Sequence, residues 1–229
     1  MLKIASILPP LPCLKIVDVG AMSVGEGQEP YSRLLKALPC EVIGFEPIAA
    51  ECDKLVRMRH EGRSYLPYFI GDGAIDFLKI DVQGGEMLVL RGAADRLKSA
   101  LVVHTEVEFV PLYKDQPLFS DIDAHLRAQG FLLHRMESSG RTFKPLIRNN
   151  DVDAMMSQWL WGDAVYVRDF MRFEMMSPAA LLKLAAILHE NYGSFDLAAV
   201  ALEAHDRSAG SELHPRYIQS LVQGPGRRL

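Results

Sequence analysis

Residues 16–27 read IVDVGAMSVGEG, the segment that is most informative about the fold. The apolar, β-branched run that leads into it predicts a buried strand that ends at Gly20. The glycines that follow, Gly20, Gly25 and Gly27, predict a turn between this strand and a helix. In an open α/β sheet, such a turn lets the backbone approach a ligand at the carboxyl end of the strand.

From this strand to about residue 170, strand patterns alternate with helix patterns. Alternation of this kind predicts a Rossmann-like α/β fold with a doubly wound, mostly parallel sheet and a late antiparallel pair of strands at one edge. The predicted helices lie near 31–38, 49–61, 86–97, with a break near Gly92, and 119–129. The further strands are predicted in CEVIGFEP 40–47, SYLPYFIGDG 64–73, IDFLKIDV 75–82, ALVVHTEVEF 100–109, FLLHRME 131–137 and DAVYVRDF 163–170.

The join between the third and fourth strands is too short for parallel neighbours. The third ends near residues 71–73 and the fourth begins at Ile75, whereas a parallel crossover needs a dozen or more residues. Either the two strands are not neighbours, or residues are missing between Gly73 and Ala74. We favour missing residues.

The end of the chain has a different pattern. Residues 177–206 place small and apolar side chains at helical spacing around Gly193, which predicts a helical hairpin. We therefore divide the chain into an α/β domain, 1–170, and a helical extension, 171–229. The extension is expected to cover an edge of the main domain or to form a homodimer.

The amino-acid composition argues against several classes of function. The net charge of −4 shows no excess of basic residues of the kind that nucleic-acid-binding proteins carry. The three cysteines form no C-x-x-C pair, and their odd, sparse number favours reduced thiols and a cytoplasmic location. No uninterrupted run of about 18 apolar residues is present for a membrane span.

Acidic residues lie near the ends of the first two strands. Asp18 precedes the glycine turn, where it can orient the turn or reach a ligand's ammonium group through water. Glu46 lies 26 residues after Gly20. An acidic residue roughly 20 residues beyond such a turn commonly binds ribose hydroxyls. The alternative for Glu46 is a solvated loop position.

The segment LKIDVQGGE, residues 78–86, carries charges inside an apolar strand. Charged side chains are rarely buried without a partner, so Lys79 is expected to serve the site or to pair with Asp81 or another acid. Asp81 lies near the carboxyl end of the strand, where a ligand would bind. Glu86 has either a direct role or a favourable place at a helix N-terminus.

The strand VVHTEVEF, residues 102–109, brings His104, Glu106 and Glu108 to one face. Such a face suits a metal site or an acid–base cluster. The alternative is that only the residue at the end of the strand faces the site. Since converging ligands from other segments are not evident, we expect no metal.

Together these segments resemble the FkbM family of S-adenosylmethionine-dependent methyltransferases. The resemblance rests on IVDVGA, GFEP, LKIDVQGGEMLVLRGA, TEVEF and DIDAHLRAQGF, and covers roughly residues 14–135. The LKIDVQGGEMLVLRGA segment is the most specific part, but Gln83 stands where the family usually has glutamate. The glycine turn also departs from the tighter turn of the family.

The resemblance implies S-adenosylmethionine as cofactor. It implies that Asp18, Gly20 and Ala21 shape the cofactor loop, that Glu46 holds the ribose, and that Asp72 lies near the adenine. Asp81 and Glu86 would border the methyl-transfer site, with Asp81, His104 or Glu106 as the base. Many relatives methylate hydroxyls of sugars or polyketide-like molecules, which implies a small-molecule or glycan acceptor.

Two other classes of protein share part of this pattern. An NAD(P)-dependent oxidoreductase would have the glycine turn and the acidic residue, but it would not explain LKIDVQGGE. A non-catalytic binding protein could retain the fold, because a fold alone does not fix function.

Overall fold

A computed structural model describes residues 3–21, 28–46, 48–58, 62–66, 74–139 and 158–223. Within these ranges, seven strands form one sheet in the order β3-β2-β1-β4-β5-β7-β6. Strands β1 to β5 are parallel, and β7 is antiparallel to both β5 and β6. The strands are β1 Leu14–Val19, β2 Cys40–Phe45, β3 Arg63–Leu66, β4 Phe77–Ile80, β5 Val102–Glu108, β6 Phe131–Ser139 and β7 Trp161–Arg168.

Helices cover both faces of this sheet, which confirms the predicted doubly wound α/β architecture. The helices are α1 Ser32–Ala37, α2 Ala49–Met58, α3 Glu86–Gly92, α4 Ala94–Leu97, α5 Phe119–Ala128, α6 Pro178–Ile187, α7 Phe195–Ala209 and α8 Leu213–Gln223. Short 3₁₀ turns occur at Ile4–Ser6 and Phe170–Met175. The break predicted near Gly92 separates α3 from α4.

The central strands are apolar because neither of their faces meets water. Every residue of β4 is buried, as expected for a parallel strand covered on both sides. Side chains of alternate parity enter two separate cores. Val103 packs with α3, α4 and α5, whereas Val102 packs with α1 and the C-terminal helices.

The strand order explains why the join between β3 and β4 can be short. The two strands are not neighbours: β3 pairs with β2 at the edge of the sheet, and β4 pairs with β1 on its other side. The crossover rule for parallel neighbours therefore does not require missing residues. The Gly73–Ala74 junction itself lies outside the described residues.

The C-terminal helices cover a face of the sheet rather than its edge, which corrects our expectation. Leu184 and Leu202 are buried in the same core as Ile16 and Phe77 of the sheet. The hairpin of α6 and α7 is confirmed, but a π-helical turn, Leu188–Tyr192, connects them and α8 follows. A homodimer and the division near residue 170 stay predictions. No helix in the described part of the chain has the length and apolarity that crossing a membrane requires.

Candidate active site

Strand order reverses between β1 and β4, and Gly20 lies at this point. A crevice outside the carboxyl ends of the strands at such a reversal is where open α/β sheets bind ligands. Gly20 has φ +81°, and a Cβ atom added there would lie 1.8 Å from the Asp81 carbonyl oxygen. The N–H groups of Gly20 and Ala21 donate to the Phe45 carbonyl oxygen at 2.9 and 3.1 Å. The three strand ends are therefore in direct contact.

Lys79 is a buried ammonium that ties the end of β4 to the glycine turn. Its Nζ lies 3.1 Å from Asp18 Oδ1 and 3.7 Å from Asp81 Oδ2, and it donates to the Gly20 carbonyl oxygen at 3.1 Å. The predicted pairing of Lys79 with acids is confirmed. Asp18 is the nearer partner, and its other carboxylate oxygen accepts the Tyr31 hydroxyl at 2.7 Å. This arrangement favours a loop-shaping role for Asp18 over a ligand contact.

Glu46 follows β2 and lies beside the glycine turn. The register pairs Val19 with Phe45, so Glu46 is level with Gly20. Its side chain is buried, and Oε1 accepts the Ile48 N–H at 2.8 Å. A carboxylate has about four acceptor positions, so this one bond leaves capacity for a ligand's hydroxyl groups.

Glu86 is also buried, at the start of α3. Its Oε1 accepts the N–H groups of Val82 and Gly84 at 3.0 and 3.2 Å. The carboxylate therefore closes the turn between β4 and α3, in the favourable position at a helix N-terminus that the sequence suggested. A direct role at the methyl-transfer site stays a prediction.

Carboxyl groups gather beyond this turn. The side chain of Asp81 is 40% exposed, and Glu106 on β5 is half-buried. Burial, followed by the charges of Asp81, Glu108, Glu86 and Asp163, raises the pKa of Glu106 to about 8. Burial and the charge of Glu86 raise the pKa of Glu108 to about 7. A carboxyl group whose pKa lies near neutrality suits general acid–base work.

His104 lies two residues before Glu106 on β5, and its ring packs against Phe77 and Tyr192. It is buried, and its Nδ1 lies 3.2 Å from the hydroxyl of Tyr192, which the π-helical turn supplies. Desolvation lowers the pKa of His104 to about 4, so the ring is neutral at pH 7. The sequence analysis missed Tyr192, since no spacing rule connects residues 104 and 192; π-helical turns are frequent at functional sites.

Asp72, Gly25 and Gly27 lie outside the described residues. Among the residues that the structure describes, no three His, Cys, Asp or Glu side chains converge in a way that would hold a metal ion.

Replacing Glu106 with glutamine is expected to change how stability depends on pH. A carboxyl group whose pKa rises from 4.5 to about 8 on folding contributes stability below pH 4.5, and that contribution is lost as pH rises through 8. Glutamine resembles the protonated acid and has no such loss. The melting temperature of Glu106→Gln, relative to that of the parent, should therefore increase between about pH 5 and pH 8 and stay level above that.

The matched control is Glu203→Gln, which makes the same change on a partly exposed side chain of α7. Its melting temperature should follow the parent at every pH. Parallel curves for Glu106→Gln and the parent would contradict the raised pKa.

A family model described as the methyltransferase FkbM domain matches residues 56–133. The resemblance found in the sequence is confirmed for this segment, which contains β4 and β5 with their acidic residues. The match and the observed fold support methyl transfer. No curated protein sequence matches the chain.

Solved structures of similar fold include the magnesium protoporphyrin IX methyltransferase of Synechocystis with bound S-adenosylmethionine, at 15% identity and a TM-score of 0.45, over 69% of this chain and 71% of that one. An S-adenosylmethionine-dependent methyltransferase of Mesorhizobium loti matches at 12% identity and 0.44, over 72% and 95%. A protein of the NADB-Rossmann superfamily from Streptococcus agalactiae matches at 14% identity and 0.44, over 96% and 91%. None of these indicates what this chain binds.

Proposed function

We propose that this chain is an S-adenosylmethionine-dependent methyltransferase that methylates a hydroxyl group of a small molecule or glycan, such as a sugar or a polyketide-like compound. The FkbM domain match carries the proposal, because residues 56–133 include the strand ends that bear Asp81 and Glu106. The end of β4 lies at the reversal of strand order, where a cofactor of this size would bind, and β5 lies beside it.

The residues at the reversal suit the cofactor. Gly20 places no side chain between the ends of β1 and β4, and the buried carboxylate of Glu46 retains acceptor positions for two ribose hydroxyls. When bound, S-adenosylmethionine supplies a methyl group activated on a sulfonium. Lys79 stabilises the turn, because it pairs with Asp18 and donates to the Gly20 carbonyl oxygen.

The acceptor side is assigned to the carboxyl groups of Asp81 and Glu106. Much of the rate of methyl transfer comes from holding the acceptor oxygen in line with the methyl group. A carboxylate beside that oxygen also removes the hydroxyl proton. The side chain of Asp81 is 40% exposed, whereas burial and the neighbouring acids raise the pKa of Glu106 to about 8. His104 and Glu86 border the site from within the protein.

The cofactor assignment is tested by Glu46→Ala. Hydrogen bonds to charged groups contribute about 1.5–3 kcal/mol each, so this change should weaken S-adenosylmethionine binding by about tenfold or more. Isothermal titration calorimetry measures the loss directly. Glu41→Ala, at the exposed beginning of the same strand, is the matched control and should bind like the parent.

The same titration separates the proposal from the oxidoreductase alternative. NAD in place of S-adenosylmethionine should give no heat above dilution. Parent-like affinity in Glu46→Ala would remove Glu46 from the cofactor site, and binding of NAD with no binding of S-adenosylmethionine would replace the proposed function.

A further inference from the structure

Gln83 makes contact with both carboxyl groups of the acceptor side. Its Nε2 donates to Asp81 Oδ1 at 3.1 Å and to Glu106 Oε2 at 3.1 Å. Its Oε1 accepts the Tyr113 hydroxyl at 3.2 Å. Both amide hydrogens and one carbonyl position are therefore engaged, and they join the residue after β4, the carboxyl-terminal part of β5 and the loop after β5.

The backbone at Gln83 is held in a conformation that fixes this side chain. Its φ of +54° lies in the left-handed region, and Gly84 follows with φ +99°. Glu86 closes the turn from below through the N–H groups on either side of Gln83. A side chain added at Gly84 would approach Tyr113 to 3.0 Å, so the turn packs tightly against the residue that also contacts the amide.

An amide at this position does what a carboxylate cannot. Two neighbouring carboxylates repel each other, and an N–H donor between them offsets the repulsion for both. An ionised glutamate accepts hydrogen bonds and donates none. Glutamate at position 83 would thus remove two donors and place a further negative charge beside Asp81 and Glu106.

We propose that Gln83 is a positioning residue, which bridges Asp81 and Glu106 and holds them side by side at the acceptor side of the site. The proposal rests on the proposed function for its catalytic meaning, because it assigns the acceptor's proton to the carboxyl pair that Gln83 orients. This chain has glutamine where the FkbM pattern usually has glutamate. The proposal gives that difference a role, because glutamine supplies hydrogen-bond donors to Asp81 and Glu106.

The charges around Glu106 set the direction of the expected effect. The groups that face it are Asp81 after β4, Glu108 on its own strand, Glu86 on α3 and Asp163 on β7, and all are acidic. Each favours the protonated form of Glu106. Loss of the amide donors would favour protonated Glu106 more strongly, and a carboxylate at position 83 would favour it more strongly still.

The test is a carboxyl ¹³C NMR titration of the full chain without ligands. Glu106→Gln identifies the Glu106 resonance. We expect Gln83→Glu to raise the titration midpoint of Glu106 by about one pH unit or more, and Gln83→Met, which removes the donors without adding charge, to raise it by less. Gln129→Glu makes the same chemical change at the end of α5, at the opposite end of β5, and should leave the midpoint unchanged.

A residue that merely stabilises the turn would give a different result. Both Gln83 variants would then melt at a lower temperature while Glu106 titrated as in the parent, and this outcome would overturn the proposal. If Gln83→Glu does not fold, Gln83→Met decides the question by the same titration. Calorimetry with S-adenosylmethionine on the parent tests the proposed function separately, since the titration does not depend on the cofactor.

Discussion

Asp81→Asn is expected to lower methyl-transfer turnover by about 10²–10⁴-fold, the range for a positioned acid or base. Asparagine keeps the shape of the side chain and its acceptor oxygen toward Gln83, but it cannot take a proton. Asp81 lies just beyond β4, at the mouth of the crevice that Gly20 borders, and its side chain is 40% exposed. Affinity for S-adenosylmethionine should stay within a few-fold of the parent.

The alternative is that Asp81 only neutralises Lys79. The distances argue against it, since Lys79 Nζ lies 3.1 Å from the buried Asp18 carboxylate and 3.7 Å from the more exposed Asp81. A partly exposed pair is weakened by solvent screening, so its loss should cost little stability. Asp18→Asn should therefore lower the melting temperature more than Asp81→Asn does.

Turnover is measured as transfer of labelled methyl from S-adenosylmethionine to an acceptor found by screening sugars and other hydroxyl compounds with the parent. Asp95→Asn, on an exposed side chain of α4, is the matched control. Measuring melting temperature on the same sample corrects for unfolded protein. Parent turnover per folded molecule in Asp81→Asn would remove Asp81 from the chemistry.

The sequence predicts the strands and the cofactor side because both depend on local patterns. The apolar run that ends at Gly20, the acidic residue after β2 and the charges of LKIDVQGGE each follow from spacing within one segment. The strand ends then meet because parallel strands place their carboxyl ends at one edge of the sheet. Asp18, Glu46 and Asp81 could therefore be identified from the sequence as candidates for one site.

What the sequence does not reveal depends on contacts between distant segments. Nothing local indicates that the π-helical turn would bring Tyr192 against His104, or that β7 would lie between β5 and β6. Gln83 looked like a simple departure from a pattern, because its role depends on a left-handed backbone and on Glu106 from another strand. The shared core of the C-terminal helices and the sheet has the same origin.

Gly20→Ala is expected to have the largest effect on stability. A residue other than glycine in the left-handed region costs about 1–3 kcal/mol by itself. The added Cβ would also lie 1.8 Å from the Asp81 carbonyl oxygen, a backbone atom that cannot rotate away. Strands β1 and β4 would have to separate where Asp81 N–H donates to the Val19 carbonyl oxygen at 3.0 Å.

We therefore expect Gly20→Ala to lower the free energy of unfolding by more than about 4 kcal/mol, a loss that few single substitutions cause. Urea denaturation followed by circular dichroism measures this loss. The matched control is Gly92→Ala at the end of α3, where a Cβ would meet no described atom within 4 Å; it should stabilise the helix by up to about 1 kcal/mol. Equal midpoints for the two variants would show that the ends of β1 and β4 are not in contact. A loss confined to Gly20→Ala would show that the glycine turn holds the ends of β1 and β4 together in the absence of a cofactor.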